Sequence, residues 1–136
     1  MSSSISIVIG RLLLALYFLM PGIMKFAAWE DTLALMTLHN VPFEGPLVAF
    51  SAIVNIVGGL LLATNRHVRL TSFGFVLYII LVNALLHDFW NFPDELQNFI
   101  KNLGILAGLL VLAGVAPRRP LALKTLFASD KGYIAR

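Results

Sequence analysis

The sequence contains no cysteine. That excludes disulfide exchange, thiol nucleophiles, thiolate-held iron–sulfur clusters and haem attached through cysteine. Any redox role must therefore rely on a bound cofactor or on another subunit to carry electrons. Charge is also scarce: Asp, Glu, Lys and Arg make up 12% of the 136 residues, against 59% hydrophobic. A soluble domain of this length needs more polar surface to cover its core. Only three histidines are present, His39, His67 and His87, and His67 is expected at the opposite end of the molecule from the other two. No metal or haem site is expected from them. There is no HExxH element, no phosphate-cradling loop, no Ser-His-Asp order and no pair of carboxylates inside an apolar run. No catalytic residue is assigned.

What the sequence has in quantity is apolar blocks. Mean hydropathy is +0.87. Four blocks cover residues 5–26, 47–63, 70–90 and 96–115, each near the ~20 residues that span the hydrocarbon of a bilayer. Pro46 precedes the second, where a missing N–H is tolerated in a first helical turn, and Pro117 closes the fourth. The first block opens Met1-Ser2-Ser3-Ser4 without an early basic residue, and no small-x-small site follows Pro21, so it reads as a retained helix. The predicted fold is all-α: a polytopic membrane protein, a four-transmembrane-helix bundle occupying residues 5–115, followed by a basic tail at 116–136.

The connections differ in sign. Arg66, His67 and Arg69 lie between blocks two and three, and Arg118, Arg119, Lys124, Lys131 and Arg136 follow block four. The first connection carries Glu30, Asp31 and Glu44, and the third carries Asp88, Asp94 and Glu95. The positive-inside rule places the basic loop and tail, and with them both termini, in the cytoplasm. The net charge of +3 is explained by these flanks, so nucleic-acid binding is not expected. In the first connection Trp29, Leu33, Met36 and Leu38 form a partial stripe that suggests a short interfacial helix, broken by Asn40-Val41-Pro42. Residues 121–127 suggest a second surface helix.

Polar residues in spanning helices are expensive and usually face the bundle interior or a cavity. Asn98, Lys101 and Asn102 share a face of the fourth block by i, i+3, i+4 spacing. Asn83 and His87 lie one turn apart on the third, with Trp90 close behind. Asn55 falls near the midpoint of the second, and Lys25 at the outer end of the first. All lie in one half of the bilayer, which makes His87, Lys101, Asn102, Asn98, Asn83, Asn55, Lys25 and Trp90 candidate ligand-binding residues in a single polar pocket. Structural alternatives stand beside this reading: lysines that snorkel, asparagines that bond helix to helix, tryptophans that anchor at the interface. Arg11, toward the inner end of block one, is a candidate for a structural role or for a contact to lipid phosphate. Gly59 (beside Gly58) and the Gly104/Gly108 spacing are candidates for close helix approach.

Several of these segments resemble the DoxX family of small bacterial membrane proteins: Gly10-Arg11-Leu12-Leu13-Leu14 with Pro21-Gly22-Ile23-Met24-Lys25-Phe26, Asn55-Ile56-Val57-Gly58-Gly59-Leu60, His87-Asp88-Phe89-Trp90 and Gln97-Asn98-Phe99-Ile100-Lys101-Asn102. The resemblance implies a four-helix bundle in the bacterial inner membrane. It draws attention to Arg11, Lys25, Gly59, His87, Trp90, Lys101 and Asn102. It also implies association with redox systems, since some relatives are subunits of thiosulfate:quinone oxidoreductase and others are linked to redox stress. Relatives often carry a glutamate where this chain has Asn55, and an amide cannot titrate. The expectation is a redox-associated subunit that binds a quinone or similar amphipathic molecule, in contact with the lipid bilayer, and forming a homo-oligomer or joining partner redox subunits. A non-catalytic anchor or assembly subunit, or a small transporter or lipid-binding protein, are the competing readings.

Overall fold

Long unbroken apolar stretches leave the backbone one way to satisfy its polar groups without water, and that is the α-helix. The computed structural model, which describes residues 3–119, 127–130 and 133, is helical in this way, with no strand among those residues. In chain order come α1 (Ser3–Ala27), α2 (Trp29–Leu38), α3 (Glu44–Ala63), α4 (Val68–Leu86), a 3-10 turn at Pro93–Glu95 and α5 (Leu96–Val115). Four of the helices are long and apolar enough to cross a membrane. The helix α2 is the short one expected in the first connection. Met36 faces inward, whereas Leu38 is exposed and off the packed stripe. Asn40, in the left-handed region at φ 57°, ends it.

The third spanning helix stops sooner than its composition suggests. The apolar run continues through Phe89 and Trp90, but α4 ends at Leu86. Asp88 replaces the helical ladder with a turn, its carbonyl accepting from the Asn91 and Phe92 amides at 3.0 and 2.9 Å. The second spanning helix begins earlier than expected, at Glu44, which leaves Pro46 in its first turn. The surface helix expected at residues 121–127 falls, apart from Phe127, outside the described residues.

Within the bundle α1 packs chiefly on α3, and α4 on α5. Glycine permits the first pairing. A Cβ at Gly22 would stand 2.9 Å from Asn55 Cβ and 3.1 Å from the Ala52 carbonyl, and one at Gly59 would stand 3.1 Å from the Ala15 carbonyl. Gly58 receives the Phe75 ring. That ring stacks on Phe18 at 3.7 Å between centroids, at the centre of a core that includes Leu62, Val68, Ile79 and Leu109. Outward positions are equally apolar: Phe50, Leu77 and Val111 are exposed by 60% or more. A surface of that kind is covered by lipid rather than water. The bundle has a basic end, with Arg66, Arg69, Arg118 and Arg119, and an acidic end, with α2 and the α4–α5 connection.

Candidate functional site

The polar residues that share a depth do not share a site. All but Lys101 and Trp90 divide into three groups, because the face on which each side chain stands decides its company.

The first group is built on Lys25, in the last turn of α1. A lysine there can extend toward the membrane surface. Instead its Nζ donates to Tyr78 Oη at 2.7 Å and, with the Asn55 amide oriented to suit its neighbours, to Asn55 Oδ1 at 3.1 Å. Asn55 in turn donates to the Ser51 carbonyl at 3.2 Å. Tyr78 lies eight residues before the end of α4, about 12 Å below the helix terminus at 1.5 Å per residue. The ammonium is thus drawn toward the middle of the bundle. Both partners are neutral, and Lys25 makes no ion pair among the described residues. Three N–H bonds leave the nitrogen and two are used. Beside it lies a cavity of about 190 Å³, bounded by Thr32 and Met36 of α2, Phe50 and Ser51 of α3, and Tyr78 and Leu81 of α4. Apart from the lysine and a few hydroxyls its walls are apolar, and α2 lies across it.

The second group joins three helices through neutral side chains. Tyr17 Oη donates to Asn102 Oδ1 at 2.6 Å, Asn102 Nδ2 donates to Asn83 Oδ1 at 2.9 Å, and Asn83 Nδ2 donates to the Phe99 carbonyl at 3.3 Å. Asn83 and Asn102 are buried. Every link has a donor and an acceptor, so the chain binds α1, α5 and α4 together.

The third group lies at the acidic end, beyond the helices. His39 Nδ1 and Asp88 Oδ1 are 2.7 Å apart and buried, the His39 ring lies against Phe92, and Asn91 Nδ2 donates to Asp88 Oδ2 at 2.9 Å. The Asn91 hydrogen bond, foremost, holds the Asp88 carboxyl below the usual carboxylate range. Desolvation opposes it, and the hydrogen bond to His39 adds to it. This cluster ties the exit of α2 to the connection after α4. Next to it His87 Nδ1 meets Glu95 Oε2 at 2.7 Å, and Asn98 Nδ2 donates to the same oxygen at 2.9 Å.

The family model described as DoxX matches residues 6–88, more than half of the chain. The chain belongs to the DoxX family. No curated protein and no solved structure matches it. The DoxX match includes Tyr17, Lys25, Asn55, Tyr78, Asn83 and His87. It ends before α5, so Asn98, Lys101 and Asn102 lie outside it.

In this DoxX bundle the structure brings Lys25 to Asn55, and Asn83 to Asn102. It leaves His87 and Asn98 in the Glu95 cluster. Trp90 is exposed, with Phe89 and Phe99 packed edge to face around it. Lys101 is exposed and makes no hydrogen bond or ion pair to a described residue. The single pocket expected from depth alone is therefore corrected to three separate groups. Arg11 takes the structural one of the two roles open to it. It is buried, and its guanidinium donates to the Leu62 carbonyl and to the Ala63 carbonyl at 3.1 Å. It thus satisfies the last carbonyls of α3 rather than facing lipid phosphate. Gly108 sits in ordinary contact with Leu14, and a Cβ at Gly104 would meet nothing within 4 Å, so this spacing makes no close approach within the chain.

Residue patterning missed Tyr78, Tyr17, His39 and Glu95. Tyr17 and Tyr78 did carry a signal. Tyrosines of spanning helices favour the two interfaces, and both of these stand well inside apolar runs. His39 and Asp88 are 49 positions apart, with no local pattern linking them. Among the described residues no three of His, Asp and Glu converge as a metal ion would require.

Proposed function

We propose that this DoxX protein is a subunit associated with a redox system of the bacterial inner membrane, and that the Lys25 cavity takes the headgroup of an amphipathic molecule such as a quinone. One observation carries the reading: an ammonium at bilayer depth, with only Tyr78 and Asn55 as partners among the described residues, next to an otherwise apolar cavity. Ionisable groups inside membranes are rare and tend to mark functional sites. A cation without a counter-ion favours an electron-rich acceptor, and a quinone carbonyl is one. Its reduced, more negative forms accept a hydrogen bond from an ammonium more strongly still. Lys25 would donate to the ring oxygen, while Tyr78 and Asn55 fix the lysine.

Size is consistent with this. The volume lies below the ~300–1,000 Å³ of drug-sized sites, so one ring fits and a hydrocarbon tail has to extend beyond it. With no cysteine in the chain, the electrons would belong to the ligand and to a partner subunit. Asn55 matters here: a glutamate would pair with Lys25 and cancel the charge.

The test is a titration of the chain in nanodiscs with a short-tail ubiquinone, followed by tryptophan fluorescence. A hydrogen bond to a charged group contributes about 1.5–3 kcal/mol, so Lys25→Met is expected to raise Kd by about 10- to 100-fold. Asn55→Glu is expected to weaken binding in the same direction. Unchanged affinity in a folded Lys25→Met variant overturns the assignment.

A further inference from the structure

A second amphipathic site lies at the other end of the molecule. There α4 begins beside the segment that leaves α5, and His67, Arg69 and Phe73 face Arg118 and Arg119 across a cleft of about 250 Å³. The carboxylate in this region is already committed. Asp130 Oδ1 accepts from Arg119 at 2.8 Å, and Asp130 Oδ2 accepts from the Val68 amide at 2.8 Å. Arg119 also donates to the Ala128 carbonyl. Two guanidiniums keep donors to spare. Arg69 gives Nη1 to the Ala113 carbonyl at 3.0 Å and lies 5.3 Å from the Phe73 ring centroid, while Arg118 is exposed and bonds to no described residue. Directly beneath this charge the wall is apolar and faces outward, Leu70 being 54% and Phe73 45% exposed.

We propose that this cleft binds the phosphodiester headgroup of an anionic phospholipid. Guanidinium forks match phosphate oxygens bidentately, and Arg69 stands in the first turn of a spanning helix, the level at which lipid phosphates lie. The exposed Leu70 and Phe73 give the acyl chains a surface that free phosphate has no use for. Basic pockets between spanning helices are suited to such headgroups.

The test uses the full chain in detergent, titrated with phosphatidylglycerol or phosphatidylcholine and followed by native mass spectrometry. Phosphatidylglycerol is expected to bind more tightly. Each arginine is worth about fivefold, so Arg118→Gln is expected to lower that affinity by about this factor, and Arg118→Lys, which keeps the charge but not the fork, to restore only part of it. Arg118 is exposed and bonds to no described residue, so its loss reads binding. The double variant Arg118→Gln/Asp31→Asn restores the net charge at the far end of the bundle and is expected not to restore binding. Three results overturn the proposal: equal affinity for the two lipids, recovery in the double variant, or displacement of phosphatidylglycerol by millimolar inorganic phosphate.

Discussion

Asp88 shows how one residue can hold two connections together. Its two oxygens take His39, at the exit of α2, and Asn91, in its own loop. With its native pKa lowered, the carboxylate contributes stability that is fully present above the ordinary unfolded value of about 3.9. That contribution disappears as pH falls through the lowered native value. Asp88→Asn is therefore expected to lower the thermal midpoint at neutral pH, and the gap to wild type is expected to narrow only below about pH 4. Thermal unfolding in detergent across this range checks it. A gap that does not change with pH would mean that the carboxylate acts through shape and not through charge. The same residue also shows what patterning misses. His39 and Asp88 meet because two connections fold over one end of the bundle. Lys25 and Lys101 likewise sit at comparable depth in sequence, yet one turns inward to Tyr78 and the other stays exposed. Depth is a property of position along a helix; company is a property of the face.

Among the elements, the four spanning helices were legible because apolar length is a property of each segment by itself. The partial stripe of Trp29, Leu33 and Met36 likewise marked α2. The end of α4 was not legible, since Phe89 and Trp90 prolong the apolar run while the turn at Asp88 ends the helix. Which glycines bring helices together was legible only in part. Gly58 and Gly59 do so, as their pairing suggested, but Gly104 stands in open space and Gly22 carries a close contact of its own. A methyl at Gly22 meets Asn55 Cβ, Ile56 Cγ1 and the backbone of Ala52, and the backbone atom has nowhere to go. Gly22→Ala is expected to destabilise the protein by about 1–3 kcal/mol, the usual penalty of overpacking. Gly104→Ala is expected to be neutral or stabilising by up to about 1 kcal/mol, from helix propensity alone. Denaturant unfolding in mixed micelles measures both. Similar losses at the two positions would show that α1 and α3 are not packed as described. Because Gly22 abuts Asn55, the same substitution is also expected to disturb the Lys25 group and to weaken the quinone binding proposed for it.

At the scale of the whole molecule, the two ends are chemically unlike, and the sidedness of the proposed function depends on which end faces the cytoplasm. Arginine sets the expected orientation, because acidic residues contribute little to it. Arg66, Arg69, Arg118 and Arg119 gather at one end, where the segment after α5 returns to the α3–α4 connection through the Asp130 amide and the Asn65 carbonyl, 2.7 Å apart. That end is expected to face the cytoplasm, which would put α2 and the Lys25 cavity beneath it on the periplasmic side. The absence of cysteine makes the question unusually direct, since any introduced thiol is the sole target for labelling. Asp31→Cys on α2 and Ser129→Cys at the basic end are both exposed positions. A membrane-impermeant maleimide is expected to label Asp31→Cys in intact spheroplasts, and Ser129→Cys only after they are broken. The reverse pattern would open the Lys25 cavity toward the cytoplasm and seat the arginine cleft in the outer leaflet. Any redox partner serving Lys25 would then have to be cytoplasmic, so this one labelling experiment decides on which side of the membrane that partner should be sought.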